Sequence, residues 1–302
     1  MIGRDYSLVA SSFSIPGDRN CTVTHMAQFD FIPGVRAPTS NDTPANWLMF
    51  LNDKPVIVGG DVKNPIPYFD KPSRMGFTIQ NRFYLGLFRG EACYAASLDP
   101  LADFPMEFTV SDMKLMLAQL PGEWFQLLGL AQQILSWDRH HRYCGACGAP
   151  THFHPADRAK VCPDCGLTNY PRLSPCIITL VTHEDKVLLG RSPKFIPGLY
   201  STLAGYIEPG ETVEQAVHRE VKEEVGVELG KLEYVKSQPW PFPHSLMLGF
   251  IAEYHQGDIC IDDDEIEDAQ WWHIDELPLI PPQGTISRAL IDCHIERLKA
   301  RA

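Results

Sequence analysis

Four cysteines constrain this chain more than any other residues. They stand as Cys144-Gly-Ala-Cys147 and Cys162-Pro-Asp-Cys165, two C-x-x-C pairs with 14 residues between them. Each pair presents two thiolates from one tight turn, and four thiolates complete the tetrahedral shell of a zinc ion. Gly148 and Gly166 directly follow the pairs, where a tight turn often needs the positive φ that glycine tolerates. The spacing predicts one structural zinc per chain. With sulfur in all four positions no place is left for water, so the ion holds the fold and does no chemistry. The other cysteines, Cys21, Cys93, Cys176, Cys260 and Cys293, are scattered, and the odd total of nine argues against a disulfide framework. They read as small buried apolar side chains. A ribbon of this kind can also bind nucleic acid. Arg158 and Lys160 lie between the pairs, but so does Asp157, and Asp164 sits inside the second pair.

A length of 302 residues suggests about two domains besides such a ribbon. Residues 1–40 are irregular, rich in Ser, Pro and Asn. "NWLMFLNDKPVIVGGD" and "RFYLGLFRGEACYAASLD" then read as two strand pairs, turning at Asn-Asp and at Arg-Gly-Glu. "SDMKLMLAQL" has a helix start, and "GEWFQLLGLAQQILSWDRHHRYC" is an amphipathic helix running into the first cysteine pair. The expected division is a small α+β domain over 1–138, the ribbon over 139–172 and an α/β domain over 173–302. In the last, strands at "PCIITLVTHEDKVLLGRS", "LEYVKSQ", "SLMLGFIAEYH" and "EDAQWWHIDEL" are joined by helices at "TVEQAVHREVKEEVG" and "TISRALIDCHIERLKA".

The net charge is −12, which disfavours non-specific nucleic-acid binding. No apolar run approaches the ~18 residues of a membrane span, and no secretory signal or lipidation motif is present, so a cytoplasmic protein without membrane contact is expected. Much of the acidity falls at 208–224 and 262–268. Glu220 and Glu224 are four residues apart and share a helix face, and Glu223, three from Glu220, joins them. Arg219 and Lys222 point elsewhere around the helix. Unpaired carboxylates on one face are what a hard divalent cation needs; a solvated acidic face is the competing reading.

The stretch Gly205–Val227, "GYIEPGETVEQAVHREVKEEVGV", resembles the Nudix signature at every fixed position. Membership of that family implies an α/β/α sandwich and metal-dependent hydrolysis of nucleoside diphosphates linked to another moiety. Carried over residue by residue, Glu220, Glu223 and Glu224 become the catalytic carboxylates. Glu220, Glu224, the Ala204 carbonyl and Glu265 become ligands of Mg²⁺ or Mn²⁺. Glu211 and Arg219 become the ion pair tying loop to helix, with Gly205 and Gly226 at the turns. Which glutamate acts as base stays open.

Ten residues beyond that box runs "SQPWPFPHS", Ser237–Ser245. It resembles the array that marks the NADH pyrophosphatase branch of the family, which also carries a four-cysteine ribbon and a degenerate Nudix-like N-terminal domain. "YPR" at Tyr170–Arg172 fits as well. The resemblance implies hydrolysis of NAD(H) to nicotinamide mononucleotide and AMP, removal of NAD caps from RNA, and a homodimer with substrate sites near the interface. It assigns substrate contact to Gln238, Pro239, Trp240, Pro241, Phe242, Pro243, His244 and Ser245, and also to Tyr170, Asp157 and Ser287. Physically, the prolines fix φ and reduce the freedom lost on binding. Trp240 and Phe242, two apart, face one way in an extended chain and offer faces for a nicotinamide or adenine ring. Gln238 and Ser245 offer hydrogen bonds. A proline-rich turn burying two rings in a core is the competing reading. Two other functions fit part of the pattern: a broader pyrophosphatase for ADP-ribose and other dinucleotides, and a non-enzymatic zinc-ribbon RNA-binding module on an inactive scaffold.

Overall fold

A computed structural model describes residues 29–38, 44–59, 65–70, 73, 76–101, 105–116, 120, 122–261 and 265–301. Cys21, most of the irregular segment 1–40 and residues 262–264 of the second acidic cluster lie outside the described residues.

The N-terminal unit is one mixed sheet backed by a helix. Its strands are β1 (Phe31–Pro33), β2 (Ala45–Leu51), β3 (Lys54–Val58), β4 (Tyr68–Phe69), β5 (Ile79–Phe88), β6 (Glu91–Leu98) and β7 (Phe108–Val110). Both expected hairpins form. Asn52 and Asp53 turn β2 into β3 with positive φ at both positions, and Arg89 and Gly90 do the same between β5 and β6, the backbone twist that two-residue hairpins favour. A short helix α1 (Met113–Met116) precedes α2 (Gly122–His140). The apolar side of α2, including Phe125, Leu128 and Ala131, closes over Leu48, Leu85 and Ala95 of the sheet.

The ribbon contributes three two-residue strands, β8 (His152–Phe153), β9 (Lys160–Val161) and β10 (Thr168–Asn169). The C-terminal unit holds β11 (Ser174–His183), β12 (Lys186–Arg191), β13 (Leu203–Tyr206), α3 (Val213–Val225), β14 (Glu228–Trp240), β15 (Ser245–Gln256), β16 (Asp268–His273) and α4 (Ile286–Lys299). Its sheet runs β14-β15-β11-β12-β16, with β13 paired to β11 and the β11–β15 pair parallel. Helix α3 packs on one face through Val217, Val221 and Val225, and α4 on the other through Ile286, Leu290 and Ile291. This is the α/β/α sandwich expected from the sequence.

The two sheets follow one plan. The N-terminal order is β5-β6-β2-β3-β7, with β4 on β2 and a parallel β2–β6 pair; β1 is an extra edge strand. What differs is the helix. Only nine residues separate β4 from β5, too few for a counterpart of the 13-residue α3. The N-terminal unit therefore keeps the strand plan of the C-terminal sandwich without the helix that bears the glutamates.

One boundary differs from the sequence reading. Strand β14 continues through Gln238, Pro239 and Trp240, which pair with Met247, Leu246 and Ser245. Proline is tolerated there because β14 is an edge strand, where its missing N–H breaks no ladder. Among the described residues no helix is long and apolar enough to cross a membrane.

Candidate active site

Helix α3 is built to hold its position. Thr212 caps its N-terminus and exchanges hydrogen bonds with Gln215, a capping box, and Gly226 closes its C-terminus in the left-handed region at φ 77°. The buried valines fix its rotation, which carries Glu220 and Glu224 under the edge of β13. Both are buried, at 8% and 6% exposure, while Glu223 is open to solvent. Gly205 is a steric requirement of this arrangement: a methyl group there would lie 1.9 Å from the carboxyl carbon of Glu220.

The expected ion pair is present. Arg219 Nε lies 2.5 Å from Glu211 Oε1 and Nη2 lies 2.8 Å from Oε2, a two-pronged pair that holds the Glu211 carboxyl down at about 2. Arg219 does not point away from the other glutamates, however. Its Nη1 is 2.9 Å from both Glu220 and Glu223, and Nη2 reaches the Tyr206 carbonyl. Its long stem lets the guanidinium fold back along the helix, so Glu220 and Glu223 are not unpaired. Glu224 is. Its Oε2 is buried with no hydrogen-bond partner. Burial, then the nearby Glu220 and Glu265 carboxylates, push its pKa up to about 8, against a hydrogen bond from the Ala204 backbone. Burial also raises Glu220.

These groups border a cavity of about 660 Å³, with Ala204, Glu220, Glu223, Glu224 and Glu265 in its wall. Glu267 is not available beside Glu265, being ion-paired with Arg191. Buried Glu220 and Glu224, with exposed Glu265 in the same wall, offer carboxylate oxygens, one of them without a partner, and their donor chemistry suits a hard divalent cation. Sequence reasoning missed three further residues in the wall: Lys194, Phe195 and Tyr206. Tyr206 follows Gly205 directly and is 49% exposed; its place next to that glycine is the one sequence signal that marks it.

The proline-locked segment lies elsewhere. Trp240 and Phe242 are not in the wall of the glutamate cavity. Their ring centroids each lie 6.3 Å from that of Phe125 on α2, and both rings pack on the N-terminal core. They do face one way, as period-2 spacing requires, but toward α2. Pro241 fits against Gly129, where a methyl group would lie 2.9 Å from it. Gln238 is buried: it donates to the Gly284 carbonyl and accepts from the Ile286 amide, both at 2.7 Å, which fastens the start of α4. Pro239 and Pro243 are exposed. His244 Nδ1 lies 3.1 Å from Ser174 Oγ. Ser245 is buried, with Oγ 3.3 Å from the Tyr206 hydroxyl, so it meets the cavity through that ring. Ser287 is buried behind the cavity, 3.0 Å from Ser201 Oγ and accepting from the Thr202 amide. Tyr170 is exposed beyond the ribbon, and Asp157 is exposed on the ribbon, in the wall of a different cavity.

The four ribbon sulfurs lie within 4.8 Å of one another, with Cys144–Cys165, Cys147–Cys162 and Cys147–Cys165 at 3.5, 3.4 and 3.7 Å. A zinc tetrahedron with bonds of about 2.3 Å has edges of about 3.8 Å, and the cluster fits it. Gly148 and Gly166 have φ near 78° and 77°, as the turns require. The two cations between the cysteine pairs are committed. Arg158 donates to the Gly34, Tyr84 and Leu85 carbonyls. Lys160 is buried on Asp138 at 2.7 Å. Both dock the ribbon on the N-terminal unit, which leaves little for nucleic acid on the ribbon alone. Cys93 and Cys176 are buried as expected, but Cys260 is exposed, in the loop after β15. Cys293 is buried and takes part in a disulfide, which its reading as a lone apolar side chain did not provide for.

Three family models match in succession: an NADH pyrophosphatase-like rudimentary NUDIX domain over residues 44–137, an NADH pyrophosphatase zinc ribbon domain over 139–170 and a NUDIX domain over 171–292. A Stutzerimonas stutzeri protein described as NAD-capped RNA hydrolase NudC is 52% identical over 72% of this chain and 78% of its own length. Proteins of the same description from Pseudomonas aeruginosa and Pseudomonas fluorescens are 50% and 46% identical, over 72% and 70% of this chain and 78% and 77% of theirs. The chain belongs to the Nudix hydrolase family, in its NADH pyrophosphatase branch, and is a hydrolase of diphosphate bonds with a structural zinc ribbon.

Proposed function

We propose that this chain hydrolyses the diphosphate bridge of NAD(H) to nicotinamide mononucleotide and AMP, and that the same reaction removes NAD from the 5′ end of RNA. The observation that carries the reading is the meeting of Glu220, Glu224 and Glu265 in one cavity, with the buried Oε2 of Glu224 unpartnered. The relatives described as NAD-capped RNA hydrolases support the choice of substrate.

Mg²⁺ or Mn²⁺ held by Glu220, Glu224, Glu265 and the Ala204 carbonyl would neutralise the diphosphate and activate water. The chain's own part is positioning. Arg219 ties the Glu211 loop, Glu220 and Glu223 into one unit, so the carboxylates need not reorganise during reaction. One of the α3 glutamates takes the proton of the attacking water as the phosphorus–oxygen bond of the bridge breaks. Lys194, exposed in the cavity wall, offers the diphosphate a side-chain cation that Arg219 cannot. A homodimer is part of this proposal: Tyr170 and Leu173, where the ribbon meets the C-terminal unit, are large and exposed, and such side chains favour burial against a second copy. A cytoplasmic setting suits both substrates.

The test is product analysis. Incubation with NADH and Mg²⁺ or Mn²⁺, alongside ADP-ribose, is expected to release the mononucleotide and AMP with NADH preferred. Equal or better cleavage of ADP-ribose would favour the broader pyrophosphatase. Failure to cut any dinucleotide under either metal would defeat the proposal.

A further inference from the structure

A second cavity, of about 370 Å³, opens where the ribbon meets the N-terminal sheet, and it shares no wall residue with the glutamate cavity. Its aromatic walls include Tyr84 on β5, Tyr94 on β6 and Phe153 on β8; Phe153 is 58% exposed. Three guanidinium groups converge there: Arg36 from the loop after β1, Arg82 from β5 and Arg158 from the ribbon. Arg158 is anchored through Nη2, while its Nη1 is buried with no acceptor. Arg36 and Arg82 are exposed and, among the described residues, neither has an ion-pair partner. Among the described residues the one carboxylate in the wall, Asp157, sits 3.6 Å from His154 Nδ1. The cavity is thus cationic on a chain of net charge −12.

Guanidinium groups beside exposed rings suit a nucleotide: phosphate oxygens take the paired N–H donors and the base stacks on a ring. The volume lies in the range of small-ligand sites. The glutamate cavity already serves a diphosphate. A capped RNA differs from free NAD(H) by bringing a phosphate with every following nucleotide. We propose that the cavity between ribbon and N-terminal sheet holds a nucleotide from the body of an NAD-capped RNA, with Arg36 and Arg82 on its phosphates and Phe153 beside its base. This rests on the reading of the chain as a cap-removing hydrolase, and it gives the N-terminal unit, which lacks the glutamate helix, a part in selecting RNA over the free dinucleotide.

The test is the double variant Arg36→Gln/Arg82→Gln. Both side chains are exposed and unpaired, so the fold should survive, as a melting curve would verify. kcat/KM is measured for NADH and for a short NAD-capped RNA at two salt concentrations. The capped RNA is expected to lose roughly tenfold, with a log–log salt dependence shallower by about 1.4 for two phosphate contacts on a single strand. NADH turnover should be unchanged. Wild-type values for both substrates, or an equal loss on both, would overturn the proposal. If the wild type cleaves neither, the catalytic reading has failed on its own, and fluorescence anisotropy with uncapped RNA decides the rest: weaker binding by the double variant upholds the cavity, and equal binding overturns it.

Discussion

A carboxylate that is buried without a partner carries a free-energy cost unless something neutralises it. Glu224 comes near that position, its Oε2 buried without a partner and its carboxylate held only by the Ala204 backbone, which makes it the residue on which the catalytic reading turns. His294 is a second buried titratable group, with no hydrogen-bond partner for Nε2. Burial, then Arg297 and Arg301, push it down from 6.5 to about 4. Its folded form binds fewer protons than the unfolded chain between those values, so its stabilising share is intact above pH 6.5 and is lost as pH falls toward 4. His294→Leu is therefore expected to flatten the fall of Tm between neutral pH and pH 5; a fall as steep as in the wild type would count against this assignment. Sequence alone made the three α3 glutamates legible, because helical spacing fixes which residues share a face. It could not show that Arg219 folds back onto two of them, since the rotamer of a long side chain is set by tertiary surroundings. Nor could it separate the buried pair from exposed Glu223, a difference set by the approach of Gly205.

At the scale of elements, both hairpins, α2, α3 and α4 were legible because turn chemistry, capping and apolar period agreed with one another. The proline-locked segment was legible as stiff, but not as to what it stiffens. Its rings meet α2, more than a hundred residues away in sequence, and no local pattern encodes that contact. Trp240 packs on both the N-terminal core and the α4 side of the sandwich, so the segment joins the two units. Trp240→Ala should cost about 2–4 kcal/mol, lowering Tm and depressing NADH and ADP-ribose turnover together. An unchanged Tm with a KM increase confined to NADH would instead make Trp240 a direct substrate contact.

On the scale of the whole molecule, one strand plan appears twice, and only the C-terminal copy has room for the glutamate helix. The zinc ribbon lies between them, its Arg158 and Lys160 gripping the N-terminal copy. Sequence showed the ribbon clearly, because four thiolates at that spacing have few other uses, whereas the shared plan was implied there only by resemblance and is drawn by the strand pairing. The account makes the α3 carboxylates the engine of the molecule. Its most direct test is the rate of NADH cleavage by Glu224→Gln, at saturating Mn²⁺ and with Tm recorded on the same sample. The expected result is a loss of about three orders of magnitude in a variant that still folds, with a smaller rise of Tm on adding Mn²⁺ than the wild type shows, because a metal ligand is gone. A rate near that of the wild type in a folded variant would contradict the account.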